Sequence, residues 1–166
     1  MKENSPLSNS IESQLAANMA KREAFPFQQA GSIRLIKLLH KLFSDEANLL
    51  LRDYGLTYPE YTLLILLDGS NEGLTPTEIA TAICEKAANT TRLVDQLLGK
   101  ALVEREACAD DRRRWRVKIT PAGDALIAQV LPAISAQLQE FFSDFSAEEF
   151  ATLNHLLHKL IAGVSR

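Results

Sequence analysis

Lys86, Asn89, Arg92 and Gln96 recur at intervals of three and four residues, the spacing that aligns side chains along one face of an α-helix. As a set they can recognise nucleobases. The amides of Asn89 and Gln96 carry a donor beside an acceptor, the pattern that pairs with an adenine edge, while Lys86 and Arg92 can donate to guanine or to phosphate. Further along, Asp110-Asp111-Arg112-Arg113-Arg114 sets three adjacent guanidinium groups after two carboxylates, and five of the seven residues from Arg112 to Lys118 are basic. Such a cluster suits phosphate clamping and insertion into a narrow minor groove, where negative potential is enhanced. The carboxylates can hold one guanidinium in a fixed pose. Alone, a polar helix face is any solvated face and an arginine-rich turn is any solubilising turn. Their succession within one stretch, Leu74 to Gly123, is what joins them in one purpose.

The elements that must position these residues are legible around them. Thr75-Pro76-Thr77-Glu78 combines an N-cap hydroxyl, a proline at the first helical position and a carboxylate two residues later, which predicts a short helix from Pro76 to about Ile83. A second helix is expected from near Glu85 to about Leu98, with Ala87, Thr90, Leu93, Val94, Leu97 and Leu98 on the side opposite the polar set. Leu102 to Glu106 and Trp115 to Ile119 alternate in polarity with period two, and Ala107 to Arg114 joins them as a polar loop, the pattern of a hairpin. Helix, turn, helix and hairpin in that order describe a winged helix-turn-helix, whose common use is to hold duplex DNA by its groove and its phosphates.

The rest of the chain reads as helices. Apolar residues from Ile33 to Leu51 recur at helical spacing and predict an amphipathic helix over Ala30 to Asp53, stopped by Gly55. Thr57-x-x-Glu60 opens the next, Tyr58 to Leu67, which is apolar on most sides and is therefore expected at the centre of the domain. Thr120-Pro121 starts a long helix with Pro132 inside it, expected to bend there, and Ser146-Ala147-Glu148-Glu149 caps a last one. These outer helices carry more apolar surface than a winged-helix unit can cover and are expected to form a dimer interface. The fold class is thus mainly α with a small β-hairpin wing, a winged helix-turn-helix flanked by long N- and C-terminal dimerisation helices. The expected division is an N-terminal arm over 1–24, a dimerisation helix over 25–55, the DNA-binding lobe over 56–120 and C-terminal dimerisation helices over 121–166. Ile11 to Glu23 fits either a short docking helix or a disordered leader.

Size and composition agree with this reading. The 166 residues, 46% of them hydrophobic, are enough for one domain with an added interface layer. The net charge of -3 is unevenly spread: Thr75 to Thr120 holds nine Lys and Arg against seven Asp and Glu, which leaves -5 for the remainder. Phosphate attraction depends on that local basic surface and not on the total. No apolar run approaches the roughly 20 residues of a membrane span, and no signal-peptide pattern opens the chain; with only Cys84 and Cys108, a cytoplasmic location without disulfides is expected. Glycine-rich phosphate loops, metal-ligand spacings and nucleophile elbows do not occur, so neither an enzyme nor a cofactor is expected. His155 and His158 share a helix face with no further ligand nearby, and no metal site is predicted.

Several of these motifs together resemble the MarR family of bacterial transcriptional regulators. The resemblance rests on Thr-Arg-Leu-Val-Asp-Gln-Leu at 91–97, Leu-Val-Glu-Arg at 102–105, the Asp111-Arg112-Arg113 wing signature, and Val117-Lys118-Ile119-Thr120-Pro121-Ala122-Gly123. It spans about residues 25 to 163. Phe25-Pro26-Phe27-Gln28, Arg34, Gly55 and Val130-Leu131-Pro132 are similar to the branch that represses multidrug efflux pumps. The resemblance implies a homodimeric repressor on a pseudo-palindromic operator, released by a small aromatic, often phenolic or anionic, ligand. It implies that Arg113 enters the minor groove with Asp111 as its partner and that Arg92 acts from the recognition helix. The expected DNA contacts are Lys86, Asn89, Thr90, Arg92 and Gln96 with Asp111, Arg112, Arg113 and Arg114. For the effector, Arg34 would meet an anionic group, with His40, Phe43, Tyr58 and Tyr61 as walls. Two departures stand out: Ala101 occupies the place where the family usually has glycine, and Glu85-Lys86 stands where it commonly has Ser or Thr. Alternatives are a redox-sensing repressor using Cys84 and Cys108, and a winged-helix protein-interaction module that does not bind DNA.

Overall fold

Four helices of this chain begin on a hydroxyl side chain, which anchors the local geometry before any tertiary contact forms. In the computed structural model, which describes residues 25–107 and 115–165 together with Ser10 and Ser13, the carboxylate of Glu60 accepts from both the backbone N–H and the hydroxyl of Thr57, at 2.8 and 2.9 Å. Thr75 and Glu78 repeat this and add a return bond from the Glu78 N–H to the Thr75 hydroxyl, while at Ser146 and Glu149 each backbone N–H donates to the other's side chain. Thr120 accepts from the Gly123 N–H at 3.1 Å. Each cap satisfies backbone donors that the first helical turn leaves open.

The elements follow in the order α1 (Phe27–Leu51), a 3-10 turn (Arg52–Tyr54), α2 (Tyr58–Asp68), α3 (Pro76–Ala82), α4 (Ala87–Gly99), β1 (Val103–Ala107), β2 (Trp115–Ile119), α5 (Pro121–Phe141) and α6 (Ala147–Val164). Helix α1 starts three residues earlier than the periodicity predicts, because Pro26 stands at its N-cap with φ -77°, a value that feeds a helix instead of breaking one. Helix α4 starts two residues later than predicted, because Cys84 turns the chain with φ +55°. Helix α5 is unbroken through Pro132.

Helix α2 lies at the centre, as its composition requires: Leu63, Leu64 and Leu67 are fully buried. Around it gather Leu51 from α1, Ile79 from α3, Leu93, Val94 and Leu97 from α4, Val117 from β2 and Ile127 and Val130 from α5. The hairpin is antiparallel in the register Val103 with Ile119 through Ala107 with Trp115. It is fastened to the lobe on its other side, where Leu74 and Val117 exchange both backbone bonds at 3.0 and 2.8 Å. That approach depends on Gly73, whose φ is +71° and whose hypothetical Cβ would fall 2.5 Å from the Val117 carbonyl. Gly123 meets a similar demand, since a Cβ there would lie 2.3 Å from the Leu102 carbonyl.

The outer helices are different. Helix α6 has no buried residue, and Leu156, Ile161 and Val164 are 54, 60 and 75% exposed. Ile33, Leu35, Ile36, Leu39 and Leu42 on α1 are also exposed. Phe142 links α6 to α5 and α1 by packing against Phe150 and Phe43. No helix among the described residues is long and apolar enough to cross a membrane.

Candidate nucleic-acid interface

Helices α3 and α4 pack against each other across a tight turn. Glu85 N–H donates to the Ala80 carbonyl at 3.0 Å and Cys84 N–H to that of Thr81 at 3.3 Å, so the turn is closed by backbone bonds. From it α4 presents a divided surface: Leu93, Val94 and Leu97 are buried, while Lys86, Arg92 and Gln96 are exposed and Asn89 is half-buried. The exposed side chains are already connected. Asn89 Nδ2 donates to Glu85 Oε2 at 2.8 Å. Arg92 donates to Asn89 Oδ1 through Nη2 at 2.7 Å and Nε at 3.2 Å, and to Gln96 Oε1 through Nη1 at 3.2 Å. A guanidinium held on two sides by amides has fewer conformations to lose on meeting a partner.

Thr90 is a correction. It is fully buried, and its hydroxyl donates to the Lys86 carbonyl one turn back at 3.2 Å. That bond satisfies the hydroxyl inside the helix, so Thr90 behaves as a core residue and leaves the DNA-facing set. Asp111, Arg112, Arg113, Arg114 and Cys108 lie outside the described residues. Of the basic residues on the adjoining strand, Arg116 donates to the Gly73 carbonyl at 2.8 Å and Lys118 pairs with Glu106 across the hairpin; both secure the wing itself.

Two contacts that the sequence does not announce fix the orientation of α4. Arg105 on β1 pairs with Asp95 on α4 at 2.6 Å and lays its guanidinium 4.3 Å from the centroid of the Trp115 ring on β2, so one side chain ties the helix to both strands. At the end of α4, Lys100 donates to the Gly55 carbonyl at 2.8 Å and to Glu60 Oε1 at 2.6 Å. Glu60 is 2% exposed. Burial alone pushes its carboxyl up, but the bonds from Lys100 and Thr57 and the Lys100 charge outweigh that and hold it below the ordinary value. Residues on both sides of α4 adopt left-handed backbone, Cys84 at φ +55° and Ala101 at φ +57°, so the missing family glycine is replaced by an alanine in a glycine-like conformation. Cys84 is a free, exposed thiol.

The predicted effector residues separate. His40 and Tyr58 line one cleft of about 240 Å³, together with Ser44, Asn48, Pro59, Thr62, Ile83 and Glu85. Three others do not line it. Phe43 packs against Phe141 with ring centroids 5.3 Å apart, Tyr61 packs on the core, where burial and the neighbouring Tyr58 raise its phenol, and Arg34 is exposed on α1. The five come from two helices, α1 and α2, and meet different neighbours: Phe43 packs toward α5 and Tyr61 toward the core. No cluster of three or more metal-ligating side chains occurs among the described residues.

Comparison with known proteins is consistent with this geometry. A model described as MarR family matches residues 56–115, from the residue before α2's cap to the start of β2. The transcriptional repressor MprA of Escherichia coli (strain K12) is 27% identical over 153 residues, 92% of this chain and 87% of that protein. Among solved structures, the reduced form of MarR from E. coli is 30% identical with a TM-score of 0.65, covering 76% of this chain and 93% of that one. The S. aureus MepR-DNA complex shares the fold, with a TM-score of 0.73 at 23% identity over 78% of this chain and 94% of that one.

Proposed function

This chain belongs to the MarR family of transcriptional regulators, and from that premise we propose that it is a repressor which grips a pseudo-palindromic operator as a homodimer and lets go when a small aromatic effector binds. It is a regulator and not an enzyme. The observation that carries the DNA reading is the exposed face of α4, where Asn89, Arg92 and Gln96 form one ordered row beside Lys86. Laid in a major groove, that row meets base edges, while Arg112, Arg113 and Arg114, which follow Asp111 in the sequence between β1 and β2, hold the flanking minor groove and backbone. The DNA in the MepR complex supports the same use of this fold.

The exposed apolar surfaces of α1 and α6 support a homodimer built from residues 25–55 and 121–166, with residues 56–120 as the DNA-binding lobe. In the bound dimer the two α4 helices sit roughly 34 to 36 Å apart, one turn of DNA. An effector between α1, α2 and the turn joining α3 to α4 lowers affinity by favouring another spacing, since a ligand acts only through a difference in its affinity for the two states. The cleft beside His40 and Tyr58 is the place for it.

The deciding experiment is a mobility shift with duplex from the chain's own upstream region across a salt series. Binding should weaken steeply with salt, with Arg113→Ala lowering the log–log slope by about one unit. Arg92→Ala should cost about 1 to 3 kcal/mol and relax one operator position. A duplex affinity that ignores both salt and Arg113 would instead favour a protein-interaction module.

A further inference from the structure

The cleft at the turn before α4 carries a carboxylate, Glu85, the same sign of charge as the anionic ligand that the family resemblance suggests. Three of its polar side chains are committed to backbone: Ser44 Oγ donates to the His40 carbonyl at 2.8 Å, Asn48 bridges the Ser44 carbonyl and the Tyr58 N–H at 2.6 and 2.8 Å, and Thr62 Oγ1 donates to the Tyr58 carbonyl at 2.9 Å. The rest of the lining is His40, Tyr58 and Glu85 with Pro59 and Ile83. Among the described residues, no lysine or arginine lines the cleft. A ligand carboxylate brought there meets a like charge; an amidinium or ammonium meets an opposite one.

Glu85 also faces the other way. It borders the shallow groove between α3 and α4 that Thr77, Thr81 and Thr91 line, and it is the first link of the row that runs through Asn89 to Arg92 and Gln96. We propose that this cleft takes a small aromatic cation with its charge on Glu85, and that the bound cation draws Glu85 away from Asn89 and so loosens the base-reading row. The coupling rests on the DNA-binding function proposed above; the ligand class does not. Glu85 is thereby a specificity-determining residue for the effector and a positioning residue for Arg92.

Benzamidine, benzamide and benzoate share an aromatic body and differ in charge, so they isolate the effect. Titrated into the full chain and followed by NMR, benzamidine should shift the Asn89 side-chain amide and bind at least about tenfold more tightly than benzoate. Glu85→Gln keeps an acceptor for Asn89 and should abolish that preference. With the duplex identified by mobility shift, saturating benzamidine should lower affinity about fivefold or more. Absence of benzamidine binding at millimolar concentration, equal binding of the three compounds, or a preference for benzoate overturns the ligand class. An Asn89 signal and a duplex affinity that both stay put under saturation overturn the coupling. The NMR readout needs no DNA, so selective benzamidine binding by a chain that ignores every duplex would sink the repressor reading and leave the cleft assignment standing.

Discussion

Replacing Lys100 with methionine tests how α4 is held. The substitution keeps the length of the side chain but leaves Glu60, 2% exposed, without the ammonium that now sits 2.6 Å from its Oε1. Removing one partner of a fully buried ion pair costs about 3 to 5 kcal/mol. Lys100 is itself 38% exposed, so water reaches the vacated place, and about 1.5 to 3 kcal/mol is the better expectation. For a chain of this size that lowers Tm by roughly 3 to 12 °C. The pH dependence identifies the cause. In the wild type the Glu60 carboxyl titrates below its ordinary value, so its stabilising contribution is full above the unfolded pKa and fades as pH falls through the folded one. Without Lys100 the burial effect is less opposed and the carboxyl titrates higher. The deficit of Lys100→Met should therefore be largest near neutrality and shrink as the medium is acidified, and adding Glu60→Gln should recover much of it. Thermal melts of the three variants from pH 7 to pH 4 measure this directly. A deficit of constant size across that range, or a double variant no better than the single, would refute the ion-pair explanation.

Two other outcomes follow from the backbone and the surface. Ala101→Gly should raise the unfolding free energy by about 0.5 to 1 kcal/mol, read as a higher denaturant midpoint at unchanged slope, because glycine relieves the left-handed strain at φ +57° by more than it adds to unfolded-chain entropy; a loss of stability would mean that the strain is absent. Ile161→Glu, at a position 60% exposed on α6, should convert dimer to monomer in sedimentation velocity if that face is the association surface, and an unaltered dimer would move the interface elsewhere.

What could be read in the sequence is what is decided locally. Caps at Thr57, Thr75, Thr120 and Ser146 are satisfied within four residues, and the period-two pattern of Trp115–Ile119 is settled by one buried side, so each element appears close to where it is expected. Interactions between distant residues were not legible: Glu60 with Lys100, and Asp95 with Arg105 and Trp115, depend on how elements are stacked. Glu85 with Asn89 is a helical i, i+4 pair and could have been found by asking which neighbours hold the polar face in place. Thr90 was misplaced because it sits at the border of the polar and apolar arcs, where a hydroxyl can turn inward and bond its own helix. Of the five expected effector residues, His40 and Tyr58 line one cleft and Arg34, Phe43 and Tyr61 do not, because they come from two helices and the sequence does not say which neighbour each will meet.

A helix with no buried residue, such as α6, is held among the described residues by few contacts, the packing of Phe150 on Phe142 being one. On the proposed association its order comes from the second copy, so folding and pairing become one reaction governed by mass action. Each tenfold dilution then removes about 1.4 kcal/mol of apparent stability. The number of copies in a cell would set how much folded regulator is present.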